Sequence, residues 1–187
     1  MRFLFFQVLV TLIALNSMAR SLSPDLKGQD LLTGNEIQIS TSGKKAMVVV
    51  FLSANCPCSN SHVKELNDLA KKYSDVAFVG INSNADETKE QAQDYFHKAH
   101  LAFPIIRDAR SKLADEFKAA KTPHAFLLKP DGQVLYEGGV SSSRLVENAD
   151  KKLLREALED LQSGQAIRTP LGRTLGCVIS RGEKYVW

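Results

Sequence analysis

Cysteine is scarce in this chain, three in 187 residues. A small scaffold stapled by disulfides needs several pairs, so the fold must rest on a hydrophobic core instead. Apolar residues make up 44% and charged residues 24%, an ordinary globular balance that supplies such a core. A block of like charge is also missing. The net charge is +3, and Lys and Arg gather only in doublets such as Lys44-Lys45, Lys71-Lys72 and Lys151-Lys152. These read as solvated faces and exclude a basic track for nucleic acid. There is no second close cysteine pair and no His-x-x-x-His, which argues against a structural zinc site. Internal repeats and low-complexity segments are absent as well.

One long apolar run is present, at the start. Phe3 to Leu15 is interrupted only by Gln7 and Thr11, follows Arg2, and leads to Ser17-Met18-Ala19. It falls short of the roughly 20 residues of a membrane-spanning helix. The pattern predicts a signal peptide over residues 1–19 with cleavage after Ala19. The mature chain is then 168 residues with no membrane span, exported to the periplasm of a Gram-negative source or otherwise secreted. An oxidising compartment lets disulfides persist, and an odd cysteine count leaves at least one thiol free, transiently paired, or paired to another chain.

Along the mature chain, turn signals around Ile37-Gln38-Ile39 predict an N-terminal hairpin lead-in. "AMVVVFL", residues 46–52, is an unbroken apolar run suited to a strand buried on both faces. Val63, Leu66, Leu69, Ala70 and Tyr73 then recur at helical steps. "VAFVGI", residues 76–81, is a second buried strand. A helix through Ala92, Tyr95, Phe96 and Ala99 follows, then a short strand near 103–106 and a helix marked by Leu113, Ala114 and Phe117. Residues 124–128 and 133–138 flank a Pro-Asp-Gly turn and predict a β-hairpin. Leu153, Leu154, Ala157, Leu158 and Leu161 form the stripe of a last helix, which ends at Gly164. The order is β-α-β-α-(β)-α-β-β-α: an α/β fold with a central mixed β-sheet flanked by helices on both faces. Residues 20–165 form the domain, and 166–187 an extended C-terminal tail without helical period.

The chemistry concentrates in "SANCPCSNSH", residues 53–62, just past the carboxyl end of the first buried strand, where loops of such sheets carry function. Pro57 suits the first position of a helix, which makes Cys56 its N-cap. Exposed N–H groups and the helix dipole then favour the Cys56 thiolate, the nucleophilic form. Cys58, in the first turn, need not face Cys56. A disulfide between them would close a small, strained ring. Cys177 in the tail is therefore a serious partner for either sulfur. Ser53 places a hydroxyl three residues before Cys56, where it either donates to the thiolate or a substrate oxygen or simply ends the strand. His62 is expected to point away from the cap, as a surface or internally satisfied residue. The first strand contributes no carboxylate beneath the cysteines. Thr122-Pro123 precedes the late hairpin at a position where a cis bond turns the chain sharply. His124 follows it. With Cys56 and Cys58, His124 would make a soft-donor set for Cu(I), the non-enzymatic alternative.

These pieces resemble the thioredoxin superfamily, and more closely its secreted redoxin-type members, the AhpC/TSA and thiol–disulfide oxidoreductase group. The likeness rests on "VVVFLSANCPCSNSHVKEL", "FVGINSN", "FPIIRD", "KTPHAFLLKPDGQVLYEGGV", the long last helix and "LGCVI", and covers most of residues 24–180. It implies a thioredoxin-like fold with Cys56 at the attacking position. It also implies a cis Thr122-Pro123 facing Cys56, where substrate backbone docks, and Cys177 as a candidate resolving cysteine. The implied site is Cys56, Cys58 and Cys177 for catalysis, with Ser53, Pro57, Thr122 and Pro123 for substrate. No cofactor or resident metal is expected. The implied partners are a protein disulfide or thiol and a separate redox partner, not nucleic acid. Three departures rank the activities. Ser59 stands where a Cys-x-x-Cys motif has its second cysteine. No proline precedes Ser53 as in Pro-x-x-x-Thr-x-x-Cys, and Lys121 rather than an arginine precedes the late strand. Thiol–disulfide exchange thus ranks above a peroxidase, with a purely structural disulfide in an interaction domain as the bland alternative.

Overall fold

A computed structural model describes residues 20–182. The expected signal peptide, residues 1–19, lies outside the described residues. Among the described residues, nine short strands and four α-helices follow in chain order: β1 (Asp25–Gln29), β2 (Glu36–Ser40), β3 (Ala46–Phe51), α1 (Pro57–Lys72), β4 (Val76–Asn82), α2 (Lys89–Lys98), β5 (Ile105–Arg107), α3 (Lys112–Glu116), β6 (Lys121–Thr122), β7 (His124–Leu128), β8 (Val134–Gly138), α4 (Leu153–Gln162) and β9 (Cys177–Val178). The five-stranded sheet runs β5-β4-β3-β7-β8, with β3, β4 and β5 parallel and β7 and β8 antiparallel to their neighbours. The thioredoxin-like α/β arrangement read from the sequence is thus the arrangement observed. No helix among the described residues is long and apolar enough to cross a membrane.

β3 is central because every one of its side chains is buried. Its alternate residues feed two cores. Val48 and Val50 join Val63, Leu66 and Leu69 of α1, Phe96 of α2, and Leu154 and Leu158 of α4. Met47, Val49 and Phe51 meet Ala114 of α3, Phe117, Phe126 and Leu128. Each fully buried aliphatic side chain here contributes about 1.5–3 kcal/mol. Helices were expected on both faces, and among the described residues the second face carries the five-residue α3. The lead-in hairpin completes it: Leu26 packs into that core, with Ile37 and Ile39 against it. Its apolar residues do the work a longer helix would otherwise do.

Both sheet edges are covered, which removes two templates for unwanted strand pairing. At β5, the Leu31 N–H donates to the Ile105 carbonyl at 2.7 Å, and the Asp30 carboxylate accepts from the Ile105 N–H at 3.0 Å. At β8, Glu137 N–H donates to Pro170 and Gly172 N–H donates to Glu137, so the tail runs alongside. Gly164, at φ +66°, turns the chain out of α4 into that tail, a left-handed conformation that glycine adopts without penalty. The tail then crosses to β6, where Thr122 pairs with Cys177 and Lys121 with Val178.

Candidate active site

Pro57 opens α1 and Cys56 caps it, with φ −97° and ψ 110°. The Cys56 sulfur accepts from the Ser59 N–H at 3.4 Å. The helix-start expectation therefore holds, and Cys56 is 1% exposed. Its sulfur also meets β6: the thiol donates to the Thr122 carbonyl at 3.2 Å, and the Thr122-Pro123 bond is cis. The tail supplies the rest. Cys177 lies across the β6–β9 ladder from Thr122, and the sulfurs of Cys56, Cys58 and Cys177 all lie within 4.8 Å of one another. All three are free thiols.

The three sulfurs differ in acidity. Burial works against the Cys56 thiolate, but hydrogen bonds from the Cys177 thiol and the N–H groups of Ser59 and Cys177 outweigh it. The Cys56 pKa therefore lies below that of an ordinary thiol. Burial pushes Cys58 up, and the neighbouring Cys56 charge adds to the effect. Cys177 is pushed up to about 12, by burial first and then by its hydrogen bond to Cys56 and the repulsion of Cys56 and Cys58. Of the three, Cys56 gives up its proton most readily, and Cys58 and Cys177 hold theirs more firmly. Activation comes only partly from the helix. The tail contributes both a thiol and an amide to Cys56, a contribution the helix-cap argument does not include.

Ser53 has a different partner from the one expected. Its hydroxyl donates to the carboxylate of Glu87, in the loop after β4. Glu87 is 2% exposed, and it also accepts from the N–H groups of Ala54 and Asn55 at 3.1 and 3.3 Å. The side-chain amides of Asn82 and Asn84 donate to it at 2.8 and 3.0 Å. Burial raises its pKa, but the hydrogen bonds from Ser53, Asn84 and Asn82 prevail and hold it below the usual carboxylate value. Glu87 thus clamps residues 53–55, the approach to Cys56. Arg107 fixes the clamp from behind: its guanidinium donates to the Asn82 side chain, to the Asn84 carbonyl and, at 2.7 Å, to the Glu87 carbonyl. The buried acid missing from β3 is present after all, supplied from the loop after β4. Its signal in the sequence is "NSNADE", residues 82–87, a polar cluster at the carboxyl end of a buried parallel strand, where sheets of this kind build sites.

The histidines stand apart. His62 is 1% exposed, its ring bonded to the Cys58 carbonyl and the Ser141 hydroxyl, both at 2.7 Å. It is internally satisfied and supports the first turn of α1. His124 is outside the sulfur cluster. Its ring packs on Phe126 at 4.4 Å, and Nε2 lies 3.8 Å from Glu137. Burial, then the Arg20 charge, lowers its pKa to about 4, so it is neutral at pH 7. The soft-donor set expected from Cys56, Cys58 and His124 is therefore corrected: Cys177 takes the place of His124.

The tail is anchored through the same network. The Ser180 N–H donates to the Asn84 side chain at 3.0 Å, and the Ala85 N–H donates to the Ser180 carbonyl at 2.8 Å. Ile179 is buried, and its N–H donates to the Ala120 carbonyl at 2.9 Å. At Gly176 a Cβ would sit 1.9 Å from the Thr122 carbonyl oxygen, so this close approach requires glycine.

The family model for Redoxin matches residues 18–153. Among curated proteins, the chain is 25% identical over 104 residues to a thiol-disulfide oxidoreductase ResA of Bacillus cereus, covering 56% of this chain and 60% of that one. It is 27% identical over 109 residues to the sporulation thiol-disulfide oxidoreductase A of Bacillus subtilis, covering 55% and 64%. These matches span about three fifths of the relatives' length. Among solved structures, a hypothetical protein of Sinorhizobium meliloti 1021 superposes with a TM-score of 0.78 at 26% identity, covering 90% of this chain and 97% of that one. With its mixed sheet, its cysteine at the cap of α1 and the family match over most of its length, the chain belongs to the redoxin family of the thioredoxin superfamily.

Proposed function

We propose that this protein is an exported thiol–disulfide oxidoreductase in which Cys56 attacks and Cys177 resolves. The observation that carries the reading is the gathering of Cys56 and Cys177 sulfurs across the Thr122 carbonyl, one acidified and the other protonated. The Cys56 thiolate attacks a substrate disulfide, forming a mixed disulfide and releasing one substrate thiolate. Cys177 then loses its proton and attacks the Cys56 sulfur. A Cys56–Cys177 disulfide forms and the second substrate thiolate leaves. The substrate gains two electrons, the protein loses two, and an external dithiol partner restores the free thiols. Run backwards, the same steps oxidise a dithiol substrate. The names of the curated relatives support this chemistry, and the apolar start of the chain supports export, to the periplasm of a Gram-negative source or beyond the cell otherwise.

Cys58 is the weaker candidate for resolution. A Cys56–Cys58 bond would close a ring through Pro57, whose φ is fixed, and so would store strain. Cys177 reaches Cys56 from a separate strand with no such ring. Two measurements test the reading. A Cys56→Ser variant should lose disulfide reduction by ~10³-fold or more, as removal of a nucleophile does. Full activity in that variant would remove Cys56 from the role. Peptide mapping of the oxidised chain should find Cys56 joined to Cys177. A Cys56–Cys58 bond with Cys177 free would overturn the resolving role of the tail.

A further inference from the structure

The three sulfurs form more than a redox pair with a spare. We propose that the reduced protein binds one Cu(I) ion through Cys56, Cys58 and Cys177. The inference stands on the geometry of the thiols and does not rest on the oxidoreductase reading. Three sulfurs bound at about 2.3 Å around one ion lie about 4.0 Å from each other. Here all three lie within 4.8 Å, so closure needs shifts of less than about an ångström. Each sulfur is carried by an independently fixed segment. Cys56 is held by the cap and the Glu87 clamp, and Cys58 sits in the first turn of α1. Cys177 is held by the β6–β9 ladder, the close fit of Gly176 on Thr122, and the anchors at Ile179 and Ser180.

The donor set selects the ion. Among the described residues no His, Asp or Glu joins the cluster, so the site is three-coordinate and all sulfur. Soft thiolates favour Cu(I), whereas Zn(II) asks for a fourth ligand and Mg(II) or Ca(II) for oxygen. Three thiolates this close repel one another strongly in a buried setting, and a cation at their centre converts that repulsion into attraction. On binding, each thiol gives its proton to solvent and the copper stays Cu(I), so no electron moves. A disulfide between any two of the cysteines removes two ligands. Copper binding and disulfide formation therefore exclude each other.

The test titrates the reduced full chain with Cu(I), without oxygen, against bathocuproine disulfonate as a competing chromophoric chelator. One Cu(I) per chain should transfer to the protein, and X-ray absorption should find three sulfurs at a single distance. Cys177→Ser should weaken binding by more than ~100-fold, beyond the 10–100-fold cost of losing an outer-shell partner. His124→Gln should bind as the parent does. Circular dichroism and the urea unfolding midpoint show that each variant is folded. No transfer from the chelator, a two-sulfur shell, unchanged affinity in a folded Cys177→Ser chain, or lost affinity in His124→Gln would each overturn the proposal. Disulfide reduction measured on the same samples separates a failure of copper binding from a failure of the redox reading.

Discussion

The cap of α1 and the tail hold sulfurs that touch, yet they are built in opposite ways. The cap grows out of β3, whose six residues are all buried, and enters a helix of 16 residues. Glu87 clamps its approach with five accepted hydrogen bonds. The tail has two residues of strand and is held by local anchors: the close fit of Gly176, the buried Ile179, the Ser180–Asn84 contact and an ion pair from Arg181 to Asp115. Segments with few buried contacts open at low cost, while core strands and helices open only near the global stability. If Cys56 and Cys177 exchange as proposed, the tail is the part expected to yield when the sulfurs part and rejoin.

The largest effect should come from breaking the fixed side. Glu87→Gln halves the acceptor capacity of the clamp and sets an amide against donors from Ser53, Ala54, Asn82 or Asn84. Leaving buried donors unpaired costs about 1–3 kcal/mol each, so the variant should lose about 2–4 kcal/mol in urea unfolding. The pH dependence carries its own sign. The folded Glu87 pKa is depressed, so the unfolded chain binds more protons in acid. The stabilisation is complete above the unfolded value of about 4.3 and is lost as pH falls through the folded value. The stability gap between parent and Glu87→Gln should therefore narrow in acid. A gap that stays constant with pH would mean the carboxylate charge does not secure the cap.

How much of each region could be read from the chain follows the same division. The cap was legible because its determinants are local: an unbroken apolar run sets β3, and Pro57 sets the helix start and hence the role of Cys56. The hairpin around Pro130-Asp131-Gly132 and the apolar stripe of α4 were legible for the same reason. Glu87 was not. It acts on residues 53–55 only after β4 has been laid parallel to β3, and that juxtaposition leaves no spacing to detect. Ser53 was misdirected in consequence, since its true partner was unseen. Cys177 could be nominated by resemblance, but its register against Thr122 depends on the close fit of Gly176 and the backbone bond of Ile179 to Ala120, in a segment without periodicity. His124 looked close to the cysteines because it follows Pro123. The alternation of β7 instead turns it toward Phe126, into the other core.

An intermediate effect should come from breaking the tail side. Gly176→Ala sets a methyl group against the Thr122 carbonyl. Overpacking of this kind costs about 1–3 kcal/mol, which the molecule can relieve by releasing the tail. A coupling of that size changes the docked population about 5- to 150-fold. Formation of the Cys56–Cys177 disulfide should slow by a factor in that range, while the unfolding midpoint of the domain barely moves. A large fall in global stability with unchanged disulfide formation would reverse the comparison and make the tail a structural element.

The smallest effect tests whether the tail side also tunes the fixed one. The Cys177 thiol and amide both donate to the Cys56 sulfur and help hold its pKa below the ordinary thiol value. Cys177→Ala removes the thiol donor but leaves the amide and the Ser59 N–H in place. The folded Cys56 pKa should rise, and less thiolate should be present at neutral pH. Alkylation of Cys56 by iodoacetamide, followed across pH, should then show its midpoint displaced upward in a chain that also carries Cys58→Ser to isolate the signal. Loss of the tail's bulk exposes the sulfur and would speed the same reaction at every pH, so the midpoint, not the rate, carries the answer. An unmoved midpoint would assign the acidity of Cys56 to the helix cap alone. The two regions would then be joined only by the bond that forms between their sulfurs.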